Sequence, residues 1–257
     1  MNLGDILWLA GIFFEATVLV LLVLRSVWRS MPVFTLYCAW DLVNNGLIFG
    51  LGNHGSDAFI RFFLATTVAD AVFILAVLTE VFWSVLRPLH RSLPRYTIII
   101  LLAFLSVVAI IVWPLTSVEG FGRFTGLIIH IQQVSSLLRI IVFVLLAASS
   151  HFLSLGWRDR ELQVATGLGF YSIVSFGAML AHTHKANVFQ YSNLNELVIA
   201  SYLCSLLYWV YSFAQKEAER REFTPQMQNL LLAIAGVARE QRLALAQAAM
   251  ERSRNKS

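Results

Sequence analysis

The sequence predicts an all-α, polytopic membrane protein: seven transmembrane helices with the N-terminus outside and the C-terminus cytoplasmic, plus a cytoplasmic amphipathic C-terminal helix. Three observations predict it. Apolar residues make up 58% of the 257 and charged residues only 13%, against about 45–50% and about 25% in soluble domains. Seven apolar runs each approach the roughly 20 residues that span a bilayer. Lysine and arginine gather in every second loop and in the tail. The mean hydropathy of +0.70 agrees. This composition excludes a soluble enzyme domain, a disordered chain and a collagen-like fibre.

The runs follow in order. Ile6–Leu24 is preceded by Asp5 and followed by Arg25, the reverse of a cleaved signal peptide, so it is expected to remain as a helix. Pro32–Leu51 begins at Pro32, which suits a first helical turn. Phe62–Leu86 comes next. Tyr96–Leu115 follows Pro94 and closes near Pro114, where a helix ends readily. Thr125–Leu153, Gln163–Ala181 and Asn193–Phe213 complete the set. The runs exceed strand length and lack the alternation of a membrane barrel. Backbone groups in lipid must be satisfied internally, so these runs are helices. Residues 1–215 form the transmembrane domain and 216–257 the tail.

Orientation comes from charge. Arg25 and Arg29 follow the first span, Arg87, Arg91 and Arg95 the third, and Arg158 and Arg160 the fifth. Eight more basic residues lie in the tail, from Lys216 to Lys256. Together these are 15 of the 19 Lys and Arg. The positive-inside rule then puts the N-terminus outside and the C-terminus in the cytoplasm. The net charge of +4 suits this orientation rather than nucleic acid.

The tail has its own character. Thr224 and Pro225 give an N-cap and first-turn signal. Met227, Leu230, Leu231, Ile234 and Val237 then recur at helical spacing. Such a helix either lies on the anionic inner leaflet or docks on a protein partner or a second copy of the chain.

Ionisable residues inside spans mark candidate functional sites. Here they are Glu15, Asp41, Asp70, Glu80, His130, Arg139 and Glu196. Asp41, Asn44 and Asn45 stand at i, i+3 and i+4 and share a helix face. His130 and Gln133 do the same on the fifth span, with Gln132 beside them. Tyr171, Ser172 and Ser175 are the polar set of the sixth. Together they predict a polar interior opening outward, with Arg139 paired to Glu15 or Asp41, because an unpaired arginine at that depth is costly. Trp40, beside Asp41, is a candidate wall. The candidate ligand or ion-pathway residues are therefore Glu15, Asp41, Asn44, Asn45, Asp70, His130, Gln133, Arg139, Tyr171 and Glu196. Polar residues also tie helices together at about 0.6 kcal/mol per bond, so a purely structural network stands beside a bound ligand and ion movement.

Other readings are narrower. His130 and His151 could serve as haem ligands, but no histidine at matching depth faces them. His182, His184 and Asn187 could hold a metal, though interfacial histidines are the ordinary reading. The sequence assigns no cofactor. Lys185, Lys216 and Lys256 all fall outside the spans, so no retinal Schiff base is available. No HExxH, Walker A or GxSxG pattern occurs. The glycine pattern at Gly50–Gly55 follows a membrane helix rather than a strand. Gly46 and Gly50 form a GxxxG step that predicts close helix packing. Cys38 and Cys204 are expected as buried core residues.

The segments Leu7–Gly11 (LWLAG), Gly167–Tyr171 (GLGFY) and Thr224–Gly236 (TPQMQNLLLAIAG), with the arginine-rich first inner loop, resemble a group of bacterial seven-helix integral membrane proteins. The resemblance implies the architecture and brings no activity or site residue with it. A non-enzymatic binding, sensor-like or accessory protein is the leading expectation. A small proton-coupled transporter using the buried carboxylates is the alternative.

Overall fold

The computed structural model describes residues 3–51, 57–85, 97–116, 123–149, 159–183 and 188–215. The expected tail helix, with Met227, Leu230, Leu231, Ile234 and Val237, lies outside the described residues, as do His151, His184 and Asn187. Among the described residues the protein is all-helical, with no strand: α1 (Leu3–Leu24), α2 (Pro32–Leu51), α3 (Asp57–Val85), α4 (Thr97–Val112), α5 (Arg123–Ser149), α6 (Arg160–Thr183) and α7 (Val188–Ala214). α2 has the expected bounds. α3 and α7 begin earlier, at Asp57 rather than Phe62 and at Val188 rather than Asn193, because backbone hydrogen bonding carries a helix past its apolar stretch.

Five helices (α1, α3, α5, α6 and α7) are long and apolar enough to cross a membrane. α4 is apolar but shorter, and a 3-10 turn over Trp113–Leu115 extends it. α2 falls outside the five and carries Asp41, Asn44 and Asn45. The exterior is built of apolar side chains, among them Ile110 (70% exposed) and Phe13 (66%). Apolar surface on this scale is compatible with an integral membrane protein and unlike a soluble monomer.

Helix contacts close a ring in the order α1, α2, α3, α5, α6, α7 and back to α1, with α4 outside it against α3 and α5. At the end where α1 stops, the ring is filled by Leu22, Met31, Phe34, Leu78, Leu146, Leu162 and Phe213, all nearly or fully inaccessible. Phe34 meets Trp209 and Phe213 edge-on, at 5.2 and 6.1 Å between centroids.

Polar groups finish this end. The Glu80 carboxylate of α3 accepts from Val33 N (2.8 Å) and Phe34 N (2.7 Å) at the start of α2. Arg25 donates to the Ala214 carbonyl (2.6 Å), and Arg160 donates to those of Ser212 (3.5 Å) and Gln215 (3.4 Å). Two cations therefore cover the C-terminus of α7, where carbonyls lack intrahelical partners and the helix dipole is negative. The Ser84 hydroxyl donates to Glu161 (2.7 Å).

Close packing falls at other glycines than the GxxxG step suggested. A Cβ at Gly46 would meet nothing within 4 Å, because that face of α2 is turned outward. Instead, a Cβ at Gly167 would collide with the Trp209 indole, and one at Gly169 with the Phe143 ring. The missing side chain at Gly167 lets the indole lie on α6, where its Nε1 donates to the Gln163 carbonyl (3.2 Å). Cys38 is buried as expected, but Cys204 is exposed on the outer surface of α7.

Candidate functional site: a charged cavity inside the ring

The other half of the ring is not filled. A cavity of about 370 Å³ opens at the end where α1, α3, α5 and α7 begin, and its wall takes residues from all six ring helices. Its volume lies in the range of small-molecule sites. Leu7, Trp8, Gly11, Met179, Val198 and Ile199 line it with Glu15, Tyr37, Asp41, Asn45, Asp70, Gln132, Ser136, Arg139, Tyr171, Ser175 and Tyr202. A space of about 170 Å³ adjoins it beside α3 and shares Asn45, Asp70, Gln132 and Arg139 with it, while adding Asn44.

Helix register explains why these groups meet. α1, α3, α5 and α7 start at the same end of the bundle. Glu15 lies twelve residues along from Leu3, Asp70 thirteen from Asp57, Tyr202 fourteen from Val188 and Arg139 sixteen from Arg123. At about 1.5 Å per residue, these positions fall within one layer about 6 Å thick.

Glu15 is 4% exposed. Its Oε1 accepts from Asn45 Nδ2 (2.7 Å) and from the Tyr202 hydroxyl (2.5 Å). The same hydroxyl stands 2.9 Å from Asp41 Oδ2. Tyr202 thus joins the two carboxyl groups, with one hydroxyl hydrogen between them. Tyr171 meets Tyr202 edge-on at 5.4 Å.

Arg139 departs from the expected pairing. With Glu15 and Asp41 taken up by Tyr202 and Asn45, Arg139 makes no ion pair with either. Its Nε donates to the Ser135 carbonyl (3.3 Å), and its guanidinium lies over the Tyr171 ring (5.6 Å). The side chain is 8% exposed, yet it borders both spaces and a small space of about 20 Å³ beneath them. Asp70 borders both spaces too, and its Oδ1 is buried without a hydrogen-bond partner, as are Glu15 Oε2 and Asn44 Oδ1.

The structure thus brings Glu15, Asp41, Asn44, Asn45, Asp70, Arg139 and Tyr171 together. It places three other candidates elsewhere. His130 stacks on Trp113 at 4.1 Å, with its Nε2 2.8 Å from the Trp113 carbonyl oxygen, so it fastens α5 to the turn after α4. Gln133 is 2% exposed and faces away from the cavity, which Gln132 lines instead. Glu196 is exposed on α7. Trp40 stacks on Phe73 at 5.6 Å rather than forming a wall. Tyr202, Tyr37 and Ser136 are cavity residues that spacing alone did not single out. Among the described residues no three His, Cys, Asp or Glu side chains converge as metal ligands would. No family model, curated protein or solved structure matches the chain.

Proposed function

We propose that this chain is a seven-span protein of a bacterial cytoplasmic membrane, N-terminus outside, that binds a small polar molecule in an outward-opening cavity without transforming it. It serves as a sensor-like protein or as an accessory subunit of a membrane complex. One observation carries the reading. Arg139 is buried on a cavity wall with three acidic residues and is paired to none of them. A polar network that only tied helices together would be expected to close that pair, since an unpaired charge there is costly.

The alternation of basic residues along the sequence supports the orientation. A reporter at each end tests it. In a chain with Cys38 and Cys204 replaced by alanine, Ser56→Cys should react with a membrane-impermeant maleimide in intact spheroplasts. Ser257→Cys should react only after permeabilisation. The reverse pattern would overturn the topology. With the expected pattern, the tail residues Met227, Leu230, Leu231, Ile234 and Val237 face the inner leaflet or a protein partner on the cytoplasmic side.

Native mass spectrometry of protein extracted gently from its own membranes tests the binding reading. A small-molecule mass, lighter than a phospholipid, is expected on the 28.9 kDa chain. A spectrum showing only bare chain, copies of itself or other polypeptides would sink ligand binding and leave the accessory role. The Tyr202 bridge between Glu15 and Asp41 favours a second reading, a proton-coupled carrier, since it links proton-carrying groups along the cavity. Proton-driven uptake into proteoliposomes, lost in Asp70→Asn, would move the assignment to that reading.

A further inference from the structure

The two ends of the unsatisfied charge set point to one chemical class. We infer that the cavity takes a small zwitterion, with a primary ammonium and a carboxylate on one skeleton, as in an α-amino acid. The inference rests on reading the cavity as a ligand site and names what that site selects.

Among the described residues, Arg139 is the sole cation in the cavity wall. Its Nε is committed to the Ser135 carbonyl. The two terminal nitrogens, which form the fork that holds a carboxylate by paired hydrogen bonds, make no hydrogen bond within the described structure. Opposite in charge and on the same two spaces stands Asp70. Its buried Oδ1 lacks a donor, and so does Glu15 Oε2. Asp41 Oδ2 and Glu15 Oε1, by contrast, already hold Tyr202 and Asn45. The bundle therefore sets one guanidinium and one carboxylate on the walls of the same two spaces, each with unmet bonding capacity.

A cationic ligand would satisfy Asp70 and leave Arg139 unmet. An anionic one would do the opposite and bring a like charge beside the carboxylates. A ligand with both ends satisfies both. Unmet carboxylate oxygens also ask for N–H donors, which a primary ammonium has and a quaternary one lacks. The volume of about 370 Å³ leaves space for a side chain, and Leu7, Ile12, Val198 and Leu203 supply an apolar wall for it.

The test uses the full-length protein in lipid nanodiscs and reads the thermal unfolding midpoint. Each of the twenty L-α-amino acids is titrated. For any that binds, the matched amine without the carboxylate and the matched acid without the amine are compared with it. At least one amino acid should raise the midpoint saturably, and each single-charge analogue should bind at least about tenfold more weakly, since a site built for a polar group rejects the analogue lacking it. Arg139→Gln and Asp70→Asn should each weaken binding by a similar factor, and Arg139→Lys should retain part of it. Cys204→Ser, on the outer surface, should leave it unchanged.

No shift with any of the twenty overturns the inference. So does an amine that binds as well as its parent amino acid, with Arg139→Gln harmless. In the latter case the cavity is a cation site and the binding reading stands. If native mass spectrometry also finds no small molecule, both fail together.

Discussion

Tyr202→Phe should lower the unfolding free energy in lipid or mild detergent by about 2–3 kcal/mol. An interhelical hydrogen bond within a membrane contributes about 0.6 kcal/mol on average, and two such bonds would give little more than 1. The larger figure follows from the acceptors. The hydroxyl serves Glu15 Oε1 and Asp41 Oδ2 at once, and a buried acceptor stripped of its partner costs about 1–3 kcal/mol, more when charged. Asn45 still donates to Glu15 after the change, so the burden falls on Asp41. Tyr202→Phe combined with Asp41→Asn should therefore recover part of the loss, as coupled neighbours do in a double-mutant cycle. Tyr211→Phe, whose ring is 69% exposed on the outer surface, should change little. A Tyr202→Phe protein within about 0.5 kcal/mol of the parent would show that the bridge holds nothing together.

That network also marks how far the sequence can be read. Helices were legible because apolar runs of bilayer length leave lipid-embedded backbone no alternative. α4 carries no charged residue and only Thr97 and Ser106 as polar ones, which fits its place outside the ring, but apolar composition alone did not say which neighbours it would have. Asp41, Asn44 and Asn45 were legible as one face, yet that face divides. Asn45 reaches Glu15, while Asn44 turns toward the space beside α3. Tyr202 was hidden among Tyr208 and Tyr211 on the same helix, since tyrosine in a span is equally an apolar body or a polar handle. Counting depth from each helix start would have found it, fourteen residues from Val188 against twelve for Glu15 from Leu3. Cost argues for a pair between Arg139 and Glu15 or Asp41, but the geometry gives those two carboxylates other partners.

Glu80→Ala should be the second large loss, about 3 kcal/mol, at the opposite end of the bundle. A helix begins with backbone N–H groups that have no carbonyl to bond. α2 gives two of these, Val33 N and Phe34 N, to the two oxygens of one carboxylate projecting from α3. Hydrogen bonds to a charged group contribute about 1.5–3 kcal/mol each, and the negative charge also faces the positive end of the helix dipole. Two bonds at the low end of that range give the expected figure. Glu80→Gln separates charge from shape. Its amide keeps one acceptor oxygen, while its NH2 meets an N–H donor head-on, so roughly half the loss is expected. Amide hydrogen exchange supplies the local check: Val33 and Phe34 should exchange faster in Glu80→Ala, with α6 unaffected. Glu80→Ala unfolding with the parent would mean that water or lipid headgroups cap α2 equally well. The order parent, glutamine, alanine would instead identify an acidic residue inside a span as a device that fixes where α2 starts. Glu80, one of the acidic side chains that the sequence places within spans, then has a structural role apart from the cavity layer.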